Sequence, residues 1–407
     1  MCAGFPVLFF MTRHIAVGID VGTYQIKVVV AELLSDRDSE FPKIIGTGYA
    51  ESKGLRHGYI INSADVTESI TAALAQAEKN AQVKIKRAFL SVGGMGLEAV
   101  IGTGVTLISR GDNEVTPLDV EKVIKEARTS LPKSLTLNRK IIHTIPLSYK
   151  IDGKEVLGNR PVGLKGVKLE NKVFFVSTLD QHFEALVEAV ENAGVEVEDV
   201  MAAPLAASLV SLTKTQKMAG CILANIGAET VSIVVFENGL PVSLEIFPIG
   251  SSDVTNDIAL GLRISLEEAE RIKLGGITSA TYSKRKFDEI VSARLTDIFD
   301  LIEAHLKKIN RSGLLPAGIV ITGGGSGLST MEDLAKAHLK LPSRIALVNI
   351  PHPVRSQVKD ASWSVAYGLC IWGFSGNDTE NRAYGDIGAV SKKLIRAIGG
   401  VLKPLLP

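Results

Sequence analysis

The sequence predicts an α/β protein built from two related halves, with an inserted subdomain in the first half and a detachable basic helix at the C-terminus. The main observation is a repeat. Residues 14 to 34 read as strand, turn and strand (HIAVGI, DVGT, IKVVVAELL), and residues 221 to 236 follow the same grammar (CILA, NIGAET, VSIVVF). The second observation is length. At 407 residues the chain exceeds what one core usually supports and points to about two to three domains. The third is the final segment, 389–407, which carries four basic residues and no acidic one.

Helical patterns alternate with the strands. Asp65 to Ala81 and Gln181 to Ala193 have apolar positions at helical spacing, the second ending before Gly194. Residues 86 to 170 differ: short strands (RAFLSVG, KIIHTIPLSYKI) surround one amphipathic helix, Leu118 to Thr129, which reads as an inserted α/β subdomain. A second insertion, 256 to 310, is helical and runs through SLEEAERIKLGG to ARLTDIFDLIEAHLKKIN. The polar stretch 375 to 388 reads as a linker. The apolar start, MCAGFPVLFF, lacks the basic region and cleavage site of a signal peptide, so residues 1–11 read as an extension ahead of a functional start near Met11.

Composition bounds the chemistry. Apolar residues at 46% and charged residues at 22% fit globular cores, and a net charge of +1 gives no pull toward nucleic acid. Cys2, Cys221 and Cys370 lie far apart with no CxxC pair, which argues against a disulfide framework or zinc ribbon and fits a reducing cytoplasm. The seven histidines are scattered without HExxH spacing, and His143, inside KIIHTIP, reads as a packed strand residue. Walker A and strand-following GxGxxG patterns are missing. A nucleophile elbow at Ser326 would need glycine where Leu328 stands.

Four elements carry chemistry. A glycine-bearing turn between antiparallel strands aims backbone N–H groups at phosphate, and only small or hydroxyl side chains permit that approach. Asp20, Gly22, Thr23 and Tyr24 form the first such turn; Asn225, Gly227, Ala228, Glu229 and Thr230 form the second. Lys27 is a candidate point charge for phosphate, and Asp20 a candidate for holding Mg²⁺ through water. The third element, GIVITGGGSG, ends a buried-type strand in Gly323, Gly324, Gly325 and Ser326 and leads to a helix from about Ser329. The fourth is the pair Glu270 and Lys273 on one helix face, suited to ribose hydroxyls and a nucleoside.

In this order the four elements resemble the actin-like ATPase superfamily, as two phosphate turns, an adenosine pair in AERIK and an adenosine loop at TGGGSG. Within it, the chain most resembles the bacterial cell-division family FtsA, through HTIPLSYKIDGKEV and RPVGLKGVKLENKV in the insert, VENAGVEVEDVMAAPLAASL before the second turn, and VTNDIALGLRISLEEAERIK after it. The likeness covers about residues 14 to 374 and the tail. It implies an α/β, actin-like ATPase fold of duplicated ribonuclease-H-like halves, with an FtsA-type inserted subdomain and a C-terminal amphipathic helix. It divides the chain into subdomain IA (12–85, 171–206 and 351–374), IC (86–170), IIA (207–255 and 311–350) and IIB (256–310). It also implies ATP with Mg²⁺, self-association into filaments, binding of the tubulin-like FtsZ near 256–310, contact with other division proteins through 86–170, and work on the cytoplasmic face of the membrane at the septum.

Two positions depart from a vigorous ATPase. Asn225 stands where the superfamily usually has Asp, and Ala203, before Pro204, where hydrolytic relatives such as MreB have a water-positioning Glu. Weak or absent hydrolysis is expected, with the catalytic residues unassigned.

The tail, AVSKKLIRAIGGVLKPLLP, is amphipathic. At about 100° per residue, Leu394, Ile395, Ile398, Val401 and Leu402 share an apolar arc of roughly 140°, opposite Lys392, Lys393, Arg396 and Lys403. That pattern suits anionic lipid, with about 1 kcal/mol expected per basic residue. The competing readings are a type IV pilus adaptor of the PilM kind, which shares fold and insert and should lack the tail, and a superfamily kinase, which needs a catalytic Asp and a second pocket.

Overall fold

The computed structural model describes residues 14–33, 42–276, 282–328, 330–346 and 361–377. The expected N-terminal extension, the membrane helix and residues 378–388 of the expected linker lie outside the described residues. Ser364–Asn377 is a helix, so the linker expected from 375 loses its first three residues; Ser375 Oγ donates back to the Ile371 carbonyl at 3.0 Å within that helix.

Two five-stranded sheets form the two halves. The first runs Glu196–Ala202, Arg87–Val92, His14–Val21, Gln25–Leu33, Lys43–Glu51. Gln25–Leu33 is antiparallel to both of its neighbours, whereas Arg87–Val92 is parallel to both of its own. The second sheet repeats this order and these directions with Ser343–Ile345, Ile319–Thr322, Cys221–Ile226, Val231–Glu237 and Leu240–Phe247. The duplication read from two hairpins therefore extends over all five strands.

Continuous apolar runs such as Val28–Ala31 belong to strands covered on both faces. Val28 and Val30 pack with helix Ser63–Ala81 through Ile70, Ala73 and Ala77. Val29 and Ala31 point the other way, to Ala366, Tyr367 and Cys370 of helix Ser364–Asn377. That helix crosses Ala203–Ser211 so closely that a Cβ on Gly368 would lie 2.0 Å from the Ala206 carbonyl oxygen. Ala203–Ser211 is buried along nearly its whole length and shares one core with Leu223, Val234 and Val320 of the second sheet, which joins the two halves.

The insert was expected at 86–170 and lies further along the chain. Arg87–Val92 sits inside the first sheet, and the separate antiparallel sheet comprises Glu98–Leu107, Lys168–Leu179, Arg139–Ile151 and Lys154–Glu155. The physical reason is that RAFLSV is a parallel central strand whose partners come from distant segments, so a local pattern cannot place it. The insert's helix, Pro117–Thr129, starts at an N-cap Thr116 with proline in its first position and a capping box closed by Asp119. In the second half, helices Ser251–Leu262, Leu266–Lys273 and Lys284–Lys308 form the helical excursion.

Candidate functional site

Both hairpin turns open onto one cleft of about 290 Å³ between the halves. From the first come Asp20, Gly22, Thr23, Tyr24 and Lys27; from the second, Asn225, Gly227, Ala228 and Thr230. Glu270, Lys273, Gly323 and Gly324 complete the predicted lining. The turns close alike: a Cβ on Gly22 would come 2.9 Å from the Gln25 carbonyl oxygen, and one on Gly227 2.9 Å from that of Thr230. Glycine is thus required twice for the same reason, a chain folding back on itself beside open space.

The charges are unequal. Asp20 faces Lys27 across its hairpin, whereas the matching pair in the second is Asn225 and Ser232. Asp20 accepts a 2.8 Å hydrogen bond from Ser91 Oγ. Burial raises its carboxyl above the ordinary range, with Lys27 and the Ser91 hydroxyl pulling the other way. Lys27 Nζ also lies 6.0 Å from the centre of the Trp363 ring.

The triple glycine divides its labour. Gly323 has φ of 92°, and a Cβ there would come 2.4 Å from Asn225 Oδ1. Gly324 meets nothing closer than 3.9 Å and faces the cleft. Gly325 packs on Ile226 and lines the recess behind the cleft rather than the cleft itself, while the buried Ser326 Oγ donates to the Gly323 carbonyl at 2.7 Å, shaping the loop from inside. A short 3-10 turn, Gly324–Gly327, precedes the helix, which starts at Met331 rather than about Ser329.

Glu270 and Lys273 are not a solvated surface pair. Their side chains meet at 2.7 Å; Thr255 Oγ1 donates to Glu270, and Lys273 Nζ donates to Thr255 Oγ1 at 2.9 Å and the Ser251 carbonyl at 3.2 Å. The network locks two helices together at the cleft wall. Beyond it lies a recess of about 310 Å³ walled by Ile272, Leu274, Phe287 and Leu328, with Ser251, Lys273, Asp288 and Thr330 as polar groups. Its dimensions and apolar walls suit a planar base, with the glycine turns left for phosphates.

Glu229 is the predicted turn residue that stands apart. Its side chain is absent from the cleft lining and accepts a hydrogen bond from the His57 backbone N–H in the first half.

Sequence reasoning missed Ser91, Gly93 and Gly94, Gly58, Ser251, Ser252 and Ser362. The first three carried a signal. SVGG closes Arg87–Val92 just as TGGG closes Ile319–Thr322, and these are corresponding strands of the two sheets. The buried His143 is a strand residue as expected: burial pulls its pKa down to about 4, and its Nε2 accepts the Ala202 N–H at 2.9 Å.

Duplicated sheets with paired glycine turns around one interdomain cleft define an actin-like ATPase fold. Solved structures agree: the PilM–PilN type IV pilus biogenesis complex matches with TM-score 0.65 at 18% identity over 88% of this chain and 98% of that one. ADP-bound MreB5 of Spiroplasma citri matches with TM-score 0.52 at 13% identity, over 91% and 99%. The family model for the cell division protein FtsA matches residues 222–368, and that for the SHS2 domain inserted in FtsA matches 96–177. The FtsA of Bacillus subtilis is 30% identical over 358 residues, covering 83% of this chain and 79% of that protein, and that of Pseudomonas aeruginosa 29% identical over 88% of each. The chain belongs to the FtsA family of cell-division proteins.

Proposed function

We propose that this chain binds ATP in the interdomain cleft and, as a filament on the inner face of the cytoplasmic membrane, tethers FtsZ at the division septum and recruits other division proteins through its insert. The observation that carries the ATP reading is the convergence of both glycine turns and the Gly323–Gly324 loop on one cleft beside an apolar recess. Mg²⁺ fits the donor set as a water-mediated ion, with Asp20 supplying the carboxylate and Asn225 an amide toward bound water. The ion would offset phosphate charge.

ATP is held rather than spent. Ala203 lines the cleft without a base, and the only carboxylates among its described lining residues are Asp20 and Glu270. Glu270 is committed to Lys273 and Thr255. Titration with a fluorescent ATP analogue tests the reading: saturable binding that weakens in Asp20→Ala supports it, and no binding by the unaltered chain overturns it. Phosphate release of several turnovers per second, lost in Asp20→Ala, would overturn the view that ATP is held.

The membrane reading rests on the pattern of residues 389–407 in this family context. No helix among the described residues is long and apolar enough to cross a bilayer. Co-sedimentation with anionic liposomes, with and without 389–407, tests it; equal pelleting of both forms removes the tail from the argument. Sedimentation with FtsZ on such liposomes tests the partner.

A further inference from the structure

We infer that the hydrogen bond from the His57 main chain to the Glu229 carboxylate is a latch that closes the cleft and sets the rate at which nucleotide leaves it; this rests on the ATP reading above. Each end is anchored in its own half. Glu229 belongs to the second glycine turn, whose carbonyls at Gly227 and Ala228 accept the Ser251 and Ser252 N–H groups at 2.9 and 2.8 Å, so the turn is bound to helix Ser251–Leu262. His57 and Gly58 belong to the first half. The His57 carbonyl accepts the Met95 N–H at 3.3 Å, and Gly58 lies so close to Gly94 that a Cβ on it would come 2.4 Å from the Gly94 Cα.

Between these anchored segments, residues 172 apart in sequence meet: the His57 N–H donates to Glu229 Oε2 at 2.5 Å, and the ring Nδ1 lies 3.4 Å from the Glu229 carbonyl oxygen. Both His57 (48°) and Gly58 (82°) take positive φ, so the chain turns sharply just after this N–H. Gly58 and Gly94 themselves line the cleft. Rotating the halves apart to let a nucleotide out separates the partners, so the bond must break first. A charge-assisted hydrogen bond of this kind opposes opening.

The test is nucleotide release from the full chain, followed by stopped-flow displacement of a fluorescent ATP analogue by excess ATP. Glu229→Ala should release it roughly tenfold faster, equivalent to about 1.4 kcal/mol. His57→Asn should stay close to the unaltered rate, because asparagine tolerates positive φ and keeps the main-chain donor. An unchanged rate in Glu229→Ala overturns the latch, as does an equal acceleration in both variants, which would place the contact in the imidazole. Amide hydrogen exchange without nucleotide provides a second readout: protection of the His57 N–H should be present in the unaltered chain and lost in Glu229→Ala, with protection of strand Cys221–Ile226 kept. No loss at His57 overturns the latch even if the chain binds no ATP, whereas absent binding with that loss present refutes only the nucleotide reading.

Discussion

Ser91 donates its hydroxyl proton to Asp20 across 2.8 Å, bringing together residues 71 apart at the end of two parallel strands. The bond orients the only carboxylate among the described cleft residues that is not committed to the Glu270–Lys273 network. Replacing Asp20 by Ala removes the charge that Mg²⁺ would address, and ATP affinity in the presence of Mg²⁺ should fall roughly 10- to 100-fold. Ser91→Ala leaves the carboxylate but frees its rotamer, and a loss of about threefold is expected. Calorimetric titration checks both; an Asp20→Ala variant with unchanged affinity would remove Asp20 from the site.

Lys217 is buried beneath the Phe236 ring, 5.2 Å from its centre, and desolvation lowers its pKa to about 7. The unfolded chain holds this proton up to about 10.5, so between pH 7 and 10.5 the unfolded state binds more protons and stability rises with pH. Lys217→Met should stabilise the protein by about 2 kcal/mol at pH 7, with the gain shrinking toward pH 10. Urea melts at several pH values measure this.

Asp119 behaves in the opposite sense. Burial alone would raise its carboxyl, but the hydroxyl and N–H of Thr116 and of Ser109 all donate to it and together hold its pKa near 2. Its stabilising effect is present above about pH 4 and is lost as pH falls toward 2. Asp119→Ala strands those donors beside the helix start and should cost about 2–4 kcal/mol at pH 7, read from chemical denaturation.

Gly368 has no room for a methyl group, given the 2.0 Å between its notional Cβ and the Ala206 carbonyl oxygen. Gly368→Ala must push helix Ser364–Asn377 off helix Ala203–Ser211, and a loss of about 2–3 kcal/mol is expected despite alanine's better helix propensity. A melting temperature at or above that of the unaltered chain would show that the crossing gives way.

The sequence by itself determined what depends on neighbours in the chain. Periodicity marks helices such as Ser63–Ala81, and each glycine turn announces its hairpin because only glycine permits the backbone to close beside Gln25 or Thr230. Duplication of that local signal read two related α/β halves; the actin-like fold and most of the cleft, from Asp20 to Gly324, came from the resemblance carried by both turns, the Glu270–Lys273 pair and the Gly323–Gly324 loop. Only the tertiary structure decided that Arg87–Val92 joins the first sheet, that Ser91 reaches Asp20, and that Glu229 turns out of the cleft to His57. The reason is physical: parallel pairing and contacts between halves join segments separated by dozens to hundreds of residues, and no local pattern in either segment names its partner.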